Sequence, residues 1–396
     1  MFNRTSNPIP NLETSNGFSY NDNKYYKIKN NNNFFRNDLD KKERPERTSI
    51  IGIGDCIVDI STEINNEIID KYHLESDKTK YTDENTQNIF EVLERMPTVT
   101  YIPGGSIQNS LRVLSFCLNN NFSKNNIVNN IGTNYNLSML GCTGDDNYRD
   151  KIFNSLNQSR INPLLQIIKG ETSRCGAGIY NKKPFFISEI KASKLLDKEF
   201  IISNKEHILN HEILLIEGYF LQYQFEFCEA LCDLFQKEQN KIIILTLSPI
   251  SLNQYLYEKF IKIANYADII FSSKAQAEDF TCLKGGIENQ KIFEKIFQNL
   301  TNNKQRLLVI KDGKDVSYCS KYDYKEKHLE FILTCYAQQI RNEEIVDEIG
   351  LEDAFLGGFL SEYMKGNNLY LCLKRGNDMA NLILKNPGCT FERKKQ

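Results

Sequence analysis

Two glycine clusters contain the residues of this sequence best suited to ligand chemistry. In the first, residues 101–110, a β-like segment runs into Gly104 and Gly105 and a predicted helix follows, with Ser106 near its start. Glycine lets a ligand approach the backbone closely, and the Asn109 side chain offers both a donor and an acceptor. A tight strand-to-helix turn without a ligand uses the same residue types, so this cluster alone leaves both interpretations open.

The second cluster, residues 347–360, is a turn that leads into a predicted helix with small residues at Ala354, Gly357 and Gly358. Such residues let a helix pack closely on its neighbours, and exposed amides at a helix start attract anions. Asp353 lies in the first turn of this helix. It is either a charge partner of the helix dipole or a base that faces a substrate hydroxyl.

Alternating short strands and helices must position these clusters. Apolar, β-branched runs at 50–60, 213–216, 242–247, 268–271 and 307–310 predict strands, the first interrupted by Gly52 and Gly54. Amphipathic segments such as 224–238 and 252–264 predict helices between them, and 83–94 predicts a further helix. Segments 176–180 and 184–190 predict a pair of strands. This alternation is typical of an α/β fold whose mostly parallel sheet is covered on both faces.

The composition excludes several classes of function. The chain has 396 residues, 40% of them hydrophobic, and 49 basic against 51 acidic residues, for a formal net charge of −2. This balance gives no electrostatic basis for binding nucleic acid or an anionic membrane surface, so neither is expected as a partner. Eleven cysteines without a C-x-x-C pair favour reduced thiols in a cytoplasmic protein over a disulfide framework or a zinc site.

Familiar nucleotide and metal motifs are absent from the sequence or incomplete. No G-x-x-x-x-G-K-[ST] segment occurs, and the pattern that Gly52 and Gly54 open has Ile57 at the third glycine position of the dinucleotide fingerprint. His207 and His211 are four residues apart but have no third ligand nearby. We therefore expect exposed histidines there, and no direct metal site.

Two asparagine-rich segments are not expected to join the core. Residues 1–46 contain eleven asparagines and few periodic apolar positions, so they are predicted to form a disordered leader. Residues 119–136 have the same character and are predicted to form an expanded surface loop. The remaining chain, 47–396, is predicted to form one domain.

With these segments in place, the chain resembles the adenosine kinases of the ribokinase-like carbohydrate and nucleoside kinases, collinearly from about residue 50 to 393. Residues 53–60 (IGDCIVDI) are similar to the family's G-N-P-L-L-D-I, and 104–110 (GGSIQNS) to its G-G-S-x-Q-N-S. Residues 141–146 (GCTGDD) are similar to G-C-I-G-x-D, 217–221 (EGYFL) to A-G-F-F-L, and 247–249 (LSP) to part of N-L-S-A-P. Residues 353–360 (DAFLGGFL) match D-A-F-x-G-G-F-L, and 388–391 (GCTF) match G-C-T-F.

The resemblance implies a three-layer α/β/α sandwich with a small β lid drawn from about 59–103 and 168–194. It also implies ATP and Mg²⁺ as cofactors, bound beside the start of the C-terminal helix, and a small-molecule nucleoside as substrate. Asp353 would be the catalytic base that takes the proton of the 5′-hydroxyl as it attacks the γ-phosphoryl group. The substrate-binding residues would be Asp59 at the ribose hydroxyls, together with Asp55, Gly104, Gly105, Ser106 and Asn109.

The phosphate side departs from the family pattern. The motif D-T-x-G-A-G-D reads DEIGLED over 347–353, so the anion hole keeps Gly350 but has Leu351 and Glu352 in place of alanine and glycine. On the nucleotide and magnesium side, the family's N-x-x-E becomes Ser273 and Gln276, and Gly313 is expected on the same side. Pro184 aligns with a lid arginine that helps to hold the phosphates, although Lys182 and Lys183 are close enough to replace it.

These departures leave two functions open. One is a nucleoside or sugar kinase in which Lys274, Lys311 or the lid lysines supply the lost positive charge. Its reaction would be the ATP-dependent phosphorylation of the 5′-hydroxyl of adenosine or a related compound. The other is a pseudokinase that binds a nucleoside or a partner protein without transferring phosphate. The sequence is compatible with a monomer and with an oligomer.

Overall fold

A computed structural model describes residues 44–76, 79–123, 126–129, 134–247, 254–283 and 288–391. The predicted leader lies almost wholly outside these residues, as do positions 248 and 249 of the LSP match. The strands are β1 (Ser49–Ile53), β2 (Ile57–Glu63), β3 (Thr79–Tyr81), β4 (Thr100–Gly104), β5 (Asn120–Ser123), β6 (Asn126–Asn129), β7 (Asn136–Gly144), β8 (Asn162–Ile168), β9 (Ser173–Tyr180), β10 (Lys183–Glu189), β11 (Ile213–Ile216), β12 (Ile242–Thr246), β13 (Ile269–Ser273), β14 (Leu307–Asp312), β15 (Val316–Asp323) and β16 (His328–Tyr336).

The helices alternate with these strands along most of the chain. They are α1 (Asn66–Tyr72), α2 (Ile89–Glu94), α3 (Ser106–Asn119), α4 (Asn147–Gln158), α5 (Lys198–Ser203), α6 (Lys205–Leu209), α7 (Leu221–Gln236), α8 (Gln254–Tyr266), α9 (Lys274–Thr281), α10 (Asn289–Asn299), α11 (Leu351–Met364) and α12 (Leu369–Ile383). Short 3₁₀ turns occur at Ala192–Leu195 and Asn342–Glu344.

A nine-stranded sheet forms the centre of the fold, in the order β16-β15-β14-β13-β12-β11-β1-β7-β8. The strands from β14 to β8 in this order are parallel, whereas β15 and β16 are antiparallel additions at one edge. The carboxyl ends of parallel strands meet at the same edge of a sheet, where α/β proteins bind their ligands. The residues that follow β1, β11, β13 and β14 therefore lie at this edge.

Hydrophobic cores on both faces of this sheet hold the helices in place. Ile51 and Ile53 of β1 pack with α7, α8 and α10, whereas Ile50 faces the opposite side and packs with α3, α4, α11 and α12. This alternation is what the two-residue period of a strand requires. Each fully buried Ile or Leu side chain contributes about 1.5–3 kcal/mol, so the two cores fix the layers that carry the site.

A second, five-stranded sheet in the order β3-β10-β9-β2-β4 lies next to the edge where the parallel strands of the large sheet end. We call this edge the functional edge. Its strands come from 57–104 and 173–189. The predicted boundaries of the lid, and the predicted division of the chain into a leader and one domain, stay predictions.

Three local predictions were wrong. Segment 50–60 is not one interrupted strand but two strands in different sheets, with Asp55 in the turn between them. In segment 83–94 only Ile89–Glu94 is helical, because Asp83 and Thr86 hydrogen-bond to each other and compete with helix formation. Segment 119–136, predicted to be a loop, includes the antiparallel pair β5 and β6.

The cysteines are free thiols, as expected, whereas the prediction of exposed histidines was wrong, because His207 is half-buried and His211 is buried. All eleven cysteines are free, and all but Cys282 are buried. His211, expected to be exposed, is fully buried: its Nε2 lies 2.8 Å from Ser138 Oγ, and burial lowers the pKa of its imidazole to about 4. None of the described helices has the length and hydropathy needed to cross a membrane.

Candidate active site

A cavity of about 140 Å³ lies at the functional edge, between the five-stranded sheet and the N-terminal ends of α3 and α11. Most of the residues predicted to bind substrate or to catalyse converge there. The predicted residues that line it are Asp55, Asp59, Gly105, Ser106, Asn109, Gly350 and Asp353. Residues separated by almost 300 positions in the sequence thus line one partly open cavity.

The glycine turn before α3 brings the backbone close to the Asp55 carbonyl oxygen and to the Asp59 carboxylate. Gly105 has a φ of +97°, a conformation that L side chains rarely adopt, and a Cβ there would lie 2.1 Å from the Asp55 carbonyl oxygen. Gly104, at the end of β4, lies against the Asp59 carboxylate, and β4 pairs with β2, which carries Asp59. The turn therefore leaves the Asp59 side chain free to face the cavity.

Close packing of α11 on α3 joins the two glycine clusters. A Cβ at Gly357 would lie 2.5 Å from the Ser110 carbonyl oxygen, so the two helices approach to backbone contact. At their N-terminal ends, Asn109 Nδ2 donates a hydrogen bond of 3.0 Å to Asp353 Oδ2. This bond fixes the orientation of the Asp353 carboxylate toward the cavity.

The buried guanidinium of Arg112 supports this contact from behind. It donates a hydrogen bond of 3.1 Å to Asn109 Oδ1, and further bonds of 3.0 Å to the carbonyl oxygens of Pro103 and Cys389. Because Arg112 holds the oxygen of the Asn109 amide, the nitrogen must face Asp353. Arg112 thus determines which way the Asn109 side chain points.

Burial raises the pKa of each carboxyl group on this side of the cavity. It raises the pKa of Asp353 to about 6, against the favourable hydrogen bonds from Asn109 and Ser106 and the charge of Arg112. Burial, with repulsion from Asp353, raises the pKa of Asp59 to about 7. Both groups therefore exchange protons near neutral pH, which suits an acid–base role.

At the predicted phosphate side, Glu352 is exposed and its Oε2 accepts a hydrogen bond of 3.0 Å from Gln276 Nε2. Gln276 also forms a capping box with Ser273 at the start of α9, because Ser273 Oγ accepts from the Gln276 amide and Gln276 Oε1 accepts from the Ser273 amide. These three predicted residues thus contact one another. The Leu351 side chain packs into the core and does not line the cavity.

The lysines proposed to replace the lost positive charge already have partners. Lys183 Nζ forms an ion pair of 2.8 Å with Glu348, and Lys274 Nζ forms one of 3.0 Å with Asp312. Lys182 donates to the carbonyl oxygen of Asn342, at 2.6 Å. Lys311 is buried, donates to Asn377 Oδ1 at 2.8 Å, and has its pKa lowered to about 8 by burial.

Gly313 lies in the turn between β14 and β15, where a Cβ would have no atom within 4 Å. Its surroundings are open, as a nucleotide-binding position requires. Groups of three or more side chains that could hold a metal ion are absent from the described residues. Mg²⁺ usually keeps several waters and binds through one or two carboxylates together with substrate phosphates, so a resident protein cage is not needed for it.

The structure adds residues that the motifs did not single out. Glu217, Tyr81, Tyr219 and Cys175 also line the cavity. Glu217 could have been found from the sequence, because it places a carboxylate in a segment otherwise similar to A-G-F-F-L. Arg112 could have been found because it lies one helical turn after Asn109. Tyr219 stands in the same segment as Glu217, whereas Tyr81 and Cys175 carried no such signal, because only pairing between distant strands brings them to the cavity.

Comparisons with known proteins show which family and which fold the chain resembles. The sequence profile of the pfkB family of carbohydrate kinases matches residues 76–396. Adenosine kinase 2 of Arabidopsis thaliana is 23% identical over 352 residues, which cover 87% of this chain and 96% of that protein. Adenosine kinase of Saccharomyces cerevisiae is 21% identical over 360 residues, with 87% and 97% covered.

Solved structures show the same fold. Adenosine kinase of Anopheles gambiae, in complex with P1,P4-di(adenosine-5) tetraphosphate, has a TM-score of 0.75 and 21% identity, covering 88% of this chain and 98% of that one. Adenosine kinase of Schistosoma mansoni with 2-fluoroadenosine has a TM-score of 0.74 and 19% identity, with the same coverage. These findings confirm the predicted ribokinase-like α/β fold and the resemblance to adenosine kinases.

The raised pKa of Asp59 predicts an unusual dependence of stability on pH. Folded Asp59 keeps its proton up to about pH 7, whereas the unfolded chain loses it near the ordinary value of 3.8. The folded state therefore binds more protons in this window, and rising pH destabilises it. We expect the free energy of unfolding of the wild type, relative to Asp59→Asn, to fall between about pH 4 and pH 7, as measured by urea denaturation.

Asp323→Asn provides the matched control. Asp323 is exposed, and the backbone N–H groups of Glu326 and Lys325 hold the pKa of its carboxyl below its usual range. Stability from Asp323 is lost only as pH falls toward and below that range, so the same comparison should be flat above about pH 5. If the stability difference between the wild type and Asp59→Asn were also independent of pH, the pKa of Asp59 would not be raised in the folded state.

Proposed function

Because the chain belongs to the pfkB family of carbohydrate kinases, we propose that it transfers the γ-phosphoryl group of ATP to the 5′-hydroxyl of adenosine or a closely related nucleoside. The observation that carries this proposal is the position of Asp353. Its carboxylate is half-buried in the wall of a partly open cavity, held by Asn109, with Asp59 in the same cavity. Adenosine kinases are among the relatives to which most of the chain aligns, and this supports the proposal.

In this proposal Asp353 is the general base. With a pKa raised to about 6, it is largely ionised at neutral pH and is still a better proton acceptor than an ordinary carboxylate. The proton of the attacking hydroxyl passes to its free oxygen, while Asn109 holds the other oxygen. Fixing the base in this way favours the in-line geometry on which phosphoryl transfer depends.

Asp59 binds the sugar in this proposal. A carboxylate that accepts hydrogen bonds from two neighbouring hydroxyl groups gains stability in its charged form, so ligand binding should lower the pKa of Asp59 from about 7. The absence of side chains at Gly104 and Gly105 leaves room for the Asp59 carboxylate and the Asp55 carbonyl oxygen beside the proposed ribose site.

ATP, with Mg²⁺ bound to its phosphates, supplies the phosphoryl group and neutralises its charge. Gly313, Ser273 and Gln276 would face the nucleotide, and the amides of Gly350, Leu351 and Glu352 would form the anion hole. The Glu352 carboxylate adds negative charge beside these amides. We propose that it slows transfer, because negative charge accumulates there in the transition state.

A second candidate function is nucleoside binding without phosphoryl transfer. The ion pairs Lys183–Glu348 and Lys274–Asp312 favour it, because both lysines are already neutralised by acidic partners near the proposed phosphate side. Glu352 is also exposed on the proposed phosphate side, so the charges of the described residues there are unfavourable for binding a triphosphate. The turnover of the wild type separates the two candidates.

The first prediction of this proposal concerns nucleoside binding. Calorimetric titration of the full chain with adenosine should show saturable binding, and Asp59→Ala should weaken it by about 10- to 100-fold, because a charged partner of the ribose hydroxyls is lost. Asp150→Ala removes an exposed carboxylate on α4 and should leave adenosine affinity unchanged. If millimolar adenosine produced no heat of binding, the proposed pocket would be wrong.

The second prediction concerns transfer. Glu352→Gly should raise the turnover of adenosine by about 10- to 100-fold in a coupled ADP-release assay, because removing one donor from such a site costs about 10²–10³ in rate and a repelling charge acts in the same direction. Asp353→Asn in that background should abolish the gain, because an amide cannot accept the hydroxyl proton.

Two results would speak against this role of Glu352. An ordinary kinase rate for the wild type would mean that its carboxylate does not hinder transfer. An unchanged rate in Glu352→Gly would shift the cause to Ser273 and Gln276.

A further inference from the structure

Asp55 and Glu217 form a second pair of carboxyl groups in the cavity, separate from Asp59 and Asp353. They follow β1 and β11, which are neighbours in the nine-stranded sheet. The backbone N–H of Asp55 donates a hydrogen bond of 2.7 Å to Glu217 Oε2. Only 5% of Asp55 and 3% of Glu217 is exposed, and both residues line the cavity.

The negative charge of this pair is only weakly compensated: among the described residues, the charge of Lys194 lowers the pKa of Asp55, but Lys194 forms no ion pair with it. Lysine, arginine and histidine side chains of the described chain form no ion pair with either carboxylate, and Arg112 contacts Asn109 near Asp353 instead. Hydroxyl groups provide some compensation, since Tyr223 donates to Asp55 Oδ1. Burial raises the pKa of Asp55 to about 6. Burial, and to a lesser extent repulsion from Asp55, raises the pKa of Glu217 well above its ordinary value.

Burying two carboxyl groups without a cation is costly, and a ligand that supplies one removes the cost. A metal ion held by the protein alone fits this pair less well, because the described residues place no third His, Cys, Asp or Glu side chain with it in a metal-binding group. The remaining candidate partner for Asp55 and Glu217 is a hydrogen-bond donor on an organic ligand in the cavity. Asp353 lines the same cavity. The donor must therefore be part of the same ligand that Asp353 would deprotonate.

Resting on the proposed function, we propose that Asp55 and Glu217 select a nucleoside or sugar that carries a basic nitrogen, and that this nitrogen binds between the two carboxylates. A charged nitrogen presents several N–H donors and neutralises the pair, whereas a neutral hydroxyl group provides one donor and no charge. Adenosine then satisfies Asp59 and Asp353, whereas a related nucleoside with a basic nitrogen would also satisfy Asp55 and Glu217.

The test compares ligands that differ from adenosine in one group. The full chain is titrated calorimetrically with adenosine, 1-methyladenosine, 2′-amino-2′-deoxyadenosine and 3′-amino-3′-deoxyadenosine, which place the basic nitrogen at three positions. We expect at least one of the three to bind about 10-fold more tightly than adenosine, as a charged hydrogen bond allows. If adenosine binds and none of the three binds more tightly, the inference is overturned while the proposed function stands.

Isosteric variants then assign the preference to the pair. Asp55→Asn and Glu217→Gln should each remove most of the preference for the basic ligand while changing adenosine affinity less. Glu326→Gln, at an exposed turn, should keep the preference in full. If the preference survives both pair variants, another group causes it and the inference fails; if either variant does not fold, the comparison of ligands on the wild type still decides. If no ligand binds, the proposed function fails as well.

Discussion

The site depends on one buried cation, the guanidinium of Arg112. It joins three separate parts of the chain, since it hydrogen-bonds to Asn109 on α3, to the Pro103 carbonyl before the glycine turn, and to the Cys389 carbonyl near the C-terminus. Its charge also lowers the pKa values of Asp59 and Asp353 against the effect of burial. Without it, two nearby carboxyls would share a buried space with no compensating charge.

The two sides of the site differ in chemistry. On the sugar side, half-buried carboxyls lie beside a glycine turn, and the Asn109 amide is held between Arg112 and Asp353. On the phosphate side, Glu352 is exposed and bound to Gln276, and Lys183 and Lys274 are already paired with acidic residues. A substrate hydroxyl would thus lie beside an oriented base, Asp353, whereas the phosphates of ATP would lie near the negative charge of Glu352. This difference is why the proposal combines nucleoside recognition with slow transfer.

Much of this could be predicted from the sequence, because strand and helix periods and glycine clusters are local properties. The α/β fold and the convergence of Asp59, Asn109 and Asp353 followed from motifs in collinear order. The tertiary contacts did not follow. Glu217 enters the site because β11 pairs with β1, and the burial of His211 depends on Ser138 in another strand. The hairpin of β5 and β6 was missed because its asparagine-rich composition is typical of loops.

A crystal structure of the full chain with bound adenosine tests the central claim most directly, since it locates the substrate relative to both carboxylates. The account predicts ribose hydroxyl groups within about 3 Å of the Asp59 carboxylate and the 5′-oxygen within about 3.2 Å of the Asp353 carboxylate. Adenosine bound outside this cavity, or inside it with the 5′-oxygen directed away from Asp353, would contradict the assignment of Asp353 as the base.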